Sequence, residues 1–461
     1  MLSLALLSML GCADRPYALQ FRGDPPKNLL MVSIDTLRKD RLGRYDSKPS
    51  EDSVSPWLDE LMEESLVLDK HRSCSNWTYG SVVCAMSGRT GSDVGFVPGG
   101  ADSRAPLPGD SRVLPVLLND RGFKTGLVTT NPYLGKTAGF DRFYDLFYEE
   151  DGAAANAVVD KGLNFYDQLK GDDPWYLHLH LIDPHAGYNP PERFLKALEQ
   201  IDPIPVDLSV DSAVRGLEKV WDTFPPHTQE LILEHIRIRY EGEVSYIDEQ
   251  IQRLMALLDQ QDALDDTLVV IWSDHGEQFF EHGQFTHGNN LHSEEVDAMA
   301  LFWAKNVRHR SWPELTRHSD IVQTIIYGMD LPRAAGITGR AVGSGDVHRP
   351  AYATRRDEVP IQSVEQDGER LVYDWSGELS YYDLDADPGG ATDQFEALEG
   401  EDVERLWKLL SFRVEKLDAL IEDATPIWPE GTSQAAAAAE AAEAKRAAEV
   451  GDDLQAADIT R

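Results

Sequence analysis

Runs of strand length that are apolar on both faces recur along the chain and predict a buried β-sheet. The first, from Asn28 to Ile34, has the sequence NLLMVSI and ends abruptly at the polar segment DTLR. Four further runs share this character: Lys124 to Thr129, Trp175 to Ile182, Thr267 to Trp272 and Ala298 to Trp303. Strands with two apolar faces are typical of parallel sheets that helices cover on both sides.

Segments with helical periodicity separate these strands. They run from Pro56 to Ser65, from Arg112 to Arg121, from Ala153 to Leu169 and from about Thr228 to Gln261. Strands that alternate with helices predict an α/β fold, in which a large and mostly parallel sheet lies between layers of helices.

Changes in this pattern divide the chain further. We expect the α/β domain at residues 28–348, interrupted at 189–226 by a segment rich in proline and acid that we interpret as an insertion or lid. Short strand-like pieces followed by a helix predict a small α+β subdomain at 349–424. Residues 425–461 are rich in Ala and Glu and have no apolar stripe, which predicts a disordered or helical tail.

The composition is that of a folded and strongly acidic protein. Of its 461 residues 42% are hydrophobic, and 43 Lys and Arg stand against 80 Asp and Glu, a formal net charge of −37. No basic stripe offsets this charge, so nucleic acid is not expected as a partner. Three cysteines are too few for a disulfide framework. Cys74 and Cys84 would be able to pair in an oxidising compartment, which the sequence leaves open.

The N-terminus has features of an export signal. Residues 1–12 are apolar up to Gly11 and end at Cys12, and they resemble a bacterial lipoprotein signal with Cys12 as the lipidated residue. No Lys or Arg precedes the apolar run, and a cytoplasmic protein is the alternative. Residues 13–27 are interpreted as a tether. We expect a bacterial cell-envelope protein, periplasmic or attached to the membrane only through this lipid, because no later run is long enough for a transmembrane helix.

Acidic residues and a histidine directly follow two of the predicted strands. Asp35 follows the first strand, and Asp274 and His275 follow the strand that begins at Thr267. Open α/β sheets bind ligands at the carboxyl ends of their strands, and two carboxylates with an imidazole suit a divalent metal. An aspartate in this place also commonly caps the next helix, so the residues alone leave both interpretations open.

Histidines cluster near the same strand ends. His178 and His180 alternate along a predicted strand, so we expect them to be buried. His185 and His287 lie beyond strand ends in loops rich in Gly and Pro. Such loops, held by a rigid scaffold, usually present functional groups, and these two histidines are the better candidates for catalysis.

Several motifs resemble those of the sulfatase family within the alkaline phosphatase superfamily. They are VSIDTLRKDRLG at 32–43, DPH at 183–185, the block at 240–277 that ends in SDHGE, EHG at 281–283, THG at 286–288 and YDL at 382–384. The resemblance extends over residues 28–424 in the family's order. It implies an alkaline-phosphatase-like fold and a hydrolase of sulfate or phosphate esters.

The nucleophile region departs from the family's motif. Family members carry Cys or Ser in a Cys-x-Pro-x-Arg signature, and that residue becomes formylglycine, whose hydrate attacks the sulfate. The matching positions are Thr78, Gly80 and Val82, so no formylglycine is expected. Thr36 replaces the second aspartate usual after the first strand, and Asn131 stands at the turn in which the family has Lys and His.

Threonine nucleophiles occur in relatives such as nucleotide phosphodiesterases and phosphoglycerol transferases, in which an acid, the Thr hydroxyl, an Asp and a His hold one divalent ion. The matching residues of this chain are Asp35, Thr78, Asp274 and His275. The resemblance implies that metal coordination activates the threonine. It also implies that Asn131, His185 and His287 contact the substrate and that the histidines assist the leaving group.

Three hypotheses about function follow. The first is a sulfatase-like, metal-dependent hydrolase of sulfate or phosphate esters, small or borne on a polymer, with Thr78 as nucleophile. The second is a phosphodiesterase or phosphoglycerol-type transferase of the same superfamily. The third is a non-catalytic scaffold with a degenerate site. The residues do not distinguish calcium, magnesium, manganese and zinc as the metal.

Overall fold

The computed structural model describes residues 17–45, 53–90, 106–332, 334–345, 348–355, 361–374, 378–397, 402 and 404–411. Its strands are β1 (Asn28–Ile34), β2 (Leu66–Arg72), β3 (Lys124–Thr129), β4 (Leu146–Glu149), β5 (Trp175–Leu181), β6 (Thr267–Ser273), β7 (Gln278–Phe279), β8 (Phe285–Thr286), β9 (Asp297–Ala298), β10 (Ala300–Trp303), β11 (Arg310–Arg317), β12 (Ala351–Thr354), β13 (Ile361–Gln366), β14 (Glu369–Asp374) and β15 (Leu379–Asp383). Its α-helices are α1 (Pro56–Glu63), α2 (Thr78–Ser87), α3 (Leu114–Asn119), α4 (Ala155–Leu169), α5 (Asp211–Val220), α6 (Pro226–Asp259), α7 (Ser293–Val296) and α8 (Ser319–Gly328).

A nine-stranded sheet forms the centre of the molecule. Its order is β11-β2-β10-β6-β1-β5-β3-β4, with β9 paired to β2. Strand β1 lies between β5 and β6 and runs parallel to both, whereas β10 is antiparallel to β6 and β2. The predicted α/β fold with a mostly parallel sheet is therefore confirmed.

Both faces of this sheet are buried. Along β1, Leu30 and Val32 belong to one hydrophobic core, and Leu29 and Met31 belong to the other. Helices α4 and α6 pack in the first core, and α2, α3 and α8 pack in the second. Side chains of a strand point alternately to opposite faces, so a strand covered on both sides carries apolar residues on both of its faces.

A second sheet lies in the C-terminal part of the chain. Its four strands are antiparallel, in the order β12-β13-β14-β15. Leu406 and Leu410, from a helical segment at 404–411, pack against Val364 and Leu371 of this sheet. This combination of strands and a helix occupies the span in which an α+β subdomain is predicted.

The segment at 189–226 contains a regular helix, α5, which the sequence analysis did not predict. Val214 and Leu217 are its buried residues. The lipoprotein signal with Cys12 and the tail at 425–461 lie outside the described residues. Among the residues that are described, no helix combines the length and apolar character needed to cross a bilayer.

Candidate active site

The carboxyl ends of two neighbouring strands bring three metal-ligating side chains together. Asp35 directly follows β1, and Asp274 and His275 directly follow β6; all three are fully buried. One ligand atom of each lies within 4.8 Å of the others. His275 Nε2 is 3.8 Å from Asp35 Oδ1 and 3.5 Å from Asp274 Oδ2. The sequence analysis named these three residues, and they lie together because β1 and β6 are adjacent parallel strands.

The atoms that face one another in this trio have no hydrogen-bond partner among the described residues. They are Asp35 Oδ1, Asp274 Oδ2 and His275 Nε2. The opposite atoms are satisfied, because Asp274 Oδ1 accepts from the His275 backbone N–H at 2.7 Å and His275 Nδ1 contacts the carbonyl oxygen of Gly276 at 2.9 Å. That contact places the imidazole proton on Nδ1 and leaves the Nε2 lone pair for a cation.

The chemistry of this donor set fits a divalent cation. A buried polar atom without a partner costs about 1–3 kcal/mol, and three such atoms that converge would be satisfied together by one ion. Two ligands of a zinc-sized ion lie about 3.0–3.5 Å apart, close to the separations of His275 Nε2 from the two carboxylates. Asp35, Asp274 and His275 are thus the residues able to hold the metal.

Electrostatics supports the same interpretation. Burial tends to raise the pKa of Asp35, but the hydrogen bond from His180 and the positive charge of His185 bring it well below its usual range. Burial, and next the negative charge of Asp35, raises the pKa of Asp274 far above its usual range. Two adjacent carboxylates cannot both ionise at low cost without a cation.

The turn after β1 is strained in a way that serves this site. Thr36 has φ 51°, in the left-handed region that β-branched residues rarely adopt. Its backbone N–H donates to Asp274 Oδ1 at 3.1 Å, and its carbonyl oxygen accepts from Tyr240 Oη at 2.8 Å. Such strain costs about 1–3 kcal/mol and persists only where the surrounding structure holds it; here Tyr240 and Asp274 do so.

Thr78 lies beside the trio, at the first position of α2. Its Oγ1 is 3.4 Å from Asp35 Oδ2 and the side chain is buried. The backbone N–H groups at the start of a helix give this position a positive potential. A disulfide joins Cys74, before the helix, to Cys84 within it. The sequence left the pairing of Cys74 with Cys84 open; in the structure the two are joined, and the candidate nucleophile Thr78 lies between them in the chain.

Asn131 contacts both the candidate nucleophile and a candidate metal ligand. Its Nδ2 donates to Asp35 Oδ2 at 2.7 Å and to Thr78 Oγ1 at 3.2 Å. Its Oδ1 accepts from the Tyr133 backbone N–H at 2.9 Å, which sets the orientation of the amide. The predicted substrate residue is thus a neutral donor placed against Thr78.

His185 and His287 approach the site from two loops. Their ring centroids are 5.0 Å apart, and that of His287 is 4.6 Å from that of His275. His287 Nδ1 contacts Glu277 Oε1 at 3.1 Å, and Glu277 Oε2 accepts from Tyr188 Oη at 2.6 Å. Glu277 thereby orients His287, a role that the sequence analysis did not assign.

Two nearby carboxylates influence the protonation of His185. Burial tends to lower the pKa of His185, but the negative charges of Asp35 and Glu277 raise it above its usual value. Burial raises the pKa of Glu277 to about 7, against the opposing effects of His185 and Tyr188. A histidine that holds its proton near neutrality is suited to protonate a leaving group.

Sequence reasoning missed two further residues of this region. His180 is buried as expected, but its Nε2 also lies 3.4 Å from Asp35 Oδ2, and its Nδ1 contacts Ser33 Oγ at 2.8 Å. The adjacent positions of Ser33 on β1 and His180 on β5 are the only signal for this contact, and they require the strand register. Arg215 of α5 reaches Thr286, the neighbour of His287, with Nη1 3.2 Å from its Oγ1.

Fold and site together define an α/β protein with a hydroxyl and a candidate metal centre at the carboxyl edge of a parallel sheet. The family model described as Sulfatase matches residues 27–331. The chain belongs to the sulfatase family.

The chain is also similar to individual proteins, by sequence or by structure. An arylsulfatase of Clostridium perfringens is 23% identical over 285 residues, a match that spans 57% of this chain and 58% of the relative's own length. A protein solved in complex with its substrate D-glucosamine-2-N,6-O-disulfate superposes with a TM-score of 0.65 at 18% identity, over 88% of this chain and 100% of that one. A phosphonate monoester hydrolase from Silicibacter pomeroyi has a TM-score of 0.64 at 16% identity, over 84% and 94%. These structures share the fold.

Proposed function

We propose that the protein is a metal-dependent hydrolase of sulfate or phosphate esters, with Thr78 as its nucleophile. The observation that carries this proposal is the position of Thr78 Oγ1, at a helix N-terminus and 3.4 Å from Asp35 Oδ2. Asp35 also presents to Asp274 and His275 its Oδ1, and the three atoms that face one another there have no hydrogen-bond partner in the described part of the chain. An alcohol is a weak nucleophile near neutral pH, and a hydroxyl beside Asp35 is placed to be activated by a metal ion held there.

Asp35, Thr78, Asp274 and His275 would hold the metal in this proposal. A divalent cation, when bound, lowers the pKa of an alcohol and offsets negative charge on the oxygens of the transferring group. Thr78 Oγ1 would form the new bond to phosphorus or sulfur as its proton leaves along the hydrogen bond to Asp35 Oδ2. Asp35 would pass this proton on to solvent, because its pKa is well below the usual range. Asn131 Nδ2, which already donates to Thr78 Oγ1, would hold that oxygen in position to attack the phosphorus or sulfur atom.

His185 and His287 would act on the leaving group. The leaving alcohol takes a proton from His185, whose pKa is raised by the nearby carboxylates, as its bond to phosphorus or sulfur breaks. The contact with Glu277 would keep His287 oriented toward the substrate. Water would then hydrolyse the ester formed on Thr78 and restore the free hydroxyl.

Phosphorus esters are the substrates that we expect to react faster. Threonine cannot become formylglycine, and a sulfate ester on threonine lacks the easy expulsion that a formylglycine hydrate provides. A protein named as a phosphonate monoester hydrolase shares the fold, which supports phosphorus chemistry for this chain. Sulfate esters of sugars are the second candidate, favoured by the family match and by the disulfated sugar bound to a solved relative.

Hydrolysis of matched 4-nitrophenyl esters would test the proposal. Sulfate, phosphate monoester and phosphodiester are compared with calcium, magnesium, manganese or zinc, in the wild type, Thr78→Ala and Thr78→Ser. We expect Thr78→Ala to lose about 10³-fold or more of the turnover, and Thr78→Ser, which keeps a hydroxyl, to retain most of it.

Each outcome has a distinct meaning. Turnover that survives in Thr78→Ala would refute Thr78 as the nucleophile. Transfer of the phosphoryl group to an added alcohol in preference to water would indicate a phosphoglycerol-type transferase. Absence of turnover on all three esters, with no stoichiometric metal in the purified protein, would support the scaffold hypothesis instead.

We also propose that the protein works in the bacterial cell envelope, attached through Cys12. The support is the apolar segment at 1–10 before Gly11-Cys12, together with the disulfide between Cys74 and Cys84, since structural disulfides persist mainly in oxidising compartments. Labelled palmitate should enter the wild type but not Cys12→Ala, and the wild type should fractionate with membranes. Unlabelled wild-type protein in the cytoplasm would contradict this.

A further inference from the structure

The insertion at 189–226 packs directly against the loops that carry His185 and His287. Gly187 has φ 101°, and a Cβ on it would lie 3.3 Å from the backbone nitrogen of Asp211, the first residue of α5. The backbone N–H of Phe285 donates to Glu218 Oε1 at 2.8 Å. Trp221 packs on the rings of Phe280 and Phe285, at 4.4 and 5.1 Å between centroids. Side chains of α5 therefore border the candidate active site.

Arg215 is the cation that α5 presents at this border. Its Nη1 donates to Thr286 Oγ1 at 3.2 Å, directly before His287, and its Nε lies 2.9 Å from both carboxylate oxygens of Asp211. No hydrogen bond joins its Nη2 to any residue in the described part of the chain, and 37% of the side chain is exposed. The guanidinium is thus oriented by two contacts and still open to a ligand.

The charge of Arg215 acts on the site itself. It opposes the rise in the pKa of His185. In a protein of net charge −37, an anionic substrate needs a local positive charge to offset the general field. Val82 of α2 and Asn131, which lies just after β3, are uncharged and buried. Arg215, on helix α5, offers a positive charge that an anionic substrate needs.

We propose that Arg215 forms a second anion-binding subsite, which takes a carboxylate, sulfate or phosphate group carried by the leaving-group part of the substrate. The position beside Thr286 and His287 places this subsite on the side on which the leaving group departs. This inference rests on the proposed function, because that function assigns His185 and His287 to the leaving group. A guanidinium with free N–H groups binds such anions by charge-assisted hydrogen bonds.

Two pairs of ligands would test the subsite. The first pair is a 4-nitrophenyl ester of the kind that the enzyme hydrolyses, with and without a ring carboxylate. The second pair, benzenesulfonate and 3-sulfobenzoate, differs in the same way and is measured by calorimetric binding to the metal-loaded protein. The measured quantity is the preference for the carboxylated member of each pair, in kcat/KM or in Kd.

Arg215→Gln, Arg215→Lys and the control Arg253→Gln are compared with the wild type. Arg253 is a matched control, because 37% of its side chain is exposed and it also pairs with an aspartate, Asp160, at 2.7 Å. We expect the wild type and Arg253→Gln to prefer the carboxylated member, Arg215→Gln to lose about 10- to 100-fold of that preference, mainly in KM and Kd, and Arg215→Lys to keep part of it.

The outcomes separate the subsite from the proposed function. An unchanged preference in Arg215→Gln would overturn the subsite, and so would an equal loss on both members of each pair, which indicates a structural role. If no ester is hydrolysed by the wild type, the proposed function fails, and the sulfonate pair still decides whether Arg215 binds the second anion.

Discussion

Two largely buried clusters of charged side chains differ in the balance of their charges, and this difference explains their roles. In the first, Arg72 and Arg370 face Asp297 and Glu365, and the four ion pairs between them measure 2.7–3.3 Å. In the second, Asp35, Asp274 and His275 bring two carboxylates together with an imidazole. The first cluster contains as many cations as anions. The second contains no permanent cation among its three members.

The hydrogen bonds follow the same division. Glu365 Oε2 accepts from Arg72 Nε and from Arg370 Nη2, at 2.7 and 2.8 Å. In the second cluster one atom of each residue has no partner among the described residues. A balanced buried cluster joins two parts of a fold, here β2 to the C-terminal sheet, whereas an unbalanced one needs a ligand to complete it.

The sharpest way to test this comparison is to remove the ligand of the unbalanced cluster. We expect the purified protein to contain one divalent ion per chain, and Asp274→Ala or chelation to remove it together with about 10³-fold or more of the turnover. Elemental analysis and ester hydrolysis would measure both. Arg370→Met should keep the metal; full metal content in Asp274→Ala would contradict the assignment of the site.

Breaking the balanced cluster should affect folding instead. Arg370→Met leaves Asp297 and Glu365 with a single arginine, and we expect it to lower the free energy of unfolding by about 3–5 kcal/mol. Urea denaturation would measure this. The double variant Arg370→Met with Glu365→Met should recover a large part of the loss, because it no longer buries an unpaired charge. A single variant as stable as the wild type would show that the cluster is not structural.

Neutralising one acid of the unbalanced cluster should have opposite effects with and without metal. In metal-free protein we expect Asp274→Asn to raise the free energy of unfolding by about 1–3 kcal/mol, because it removes one of two adjacent buried carboxylates. With metal added, the wild type should become the more stable of the two. Thermal unfolding with and without chelator measures this reversal, and a variant that is less stable in both states would refute it.

The last prediction concerns a buried histidine behind the site. Burial lowers the pKa of His318 to about 3, whereas an unfolded histidine titrates near 6.5. Between these values the unfolded chain binds the extra proton, so stability should fall as pH drops below 6.5, by up to about 1.4 kcal/mol per pH unit. His318→Gln, which keeps a donor for the carbonyl oxygen of Ser273, should show a shallower slope in urea denaturation from pH 7 to 4.

The exposed His227 provides a control for this measurement, since 74% of its side chain is accessible. His227→Gln should leave the acid slope unchanged. An identical slope in the wild type and His318→Gln would mean that the acid sensitivity arises elsewhere.

Elements with strong local patterns were predictable almost to the residue. Strand β1 has the predicted bounds, because its apolar run ends just before Asp35. Strand β3 also has the bounds that the sequence predicts. Helix α2 was not predicted, because its sequence TYGSVVCAMS contains Gly and β-branched residues with poor helix propensity. All ten of its residues are buried, so packing rather than propensity stabilises the helix that begins with Thr78.

Of the candidate site, the sequence by itself determined the residues that stand at strand ends. Asp35, Asp274 and His275 follow buried strands, and neighbouring parallel strands end at one edge. Only the tertiary structure decided which other side chains meet them. They are contacts between segments that are distant in sequence or belong to different elements: Asn131 with Thr78 of α2, Glu277 with His287, and Arg215 of α5 with Thr286. Local periodicity specifies elements and their ends, but contacts of about 3 Å depend on how distant segments pack.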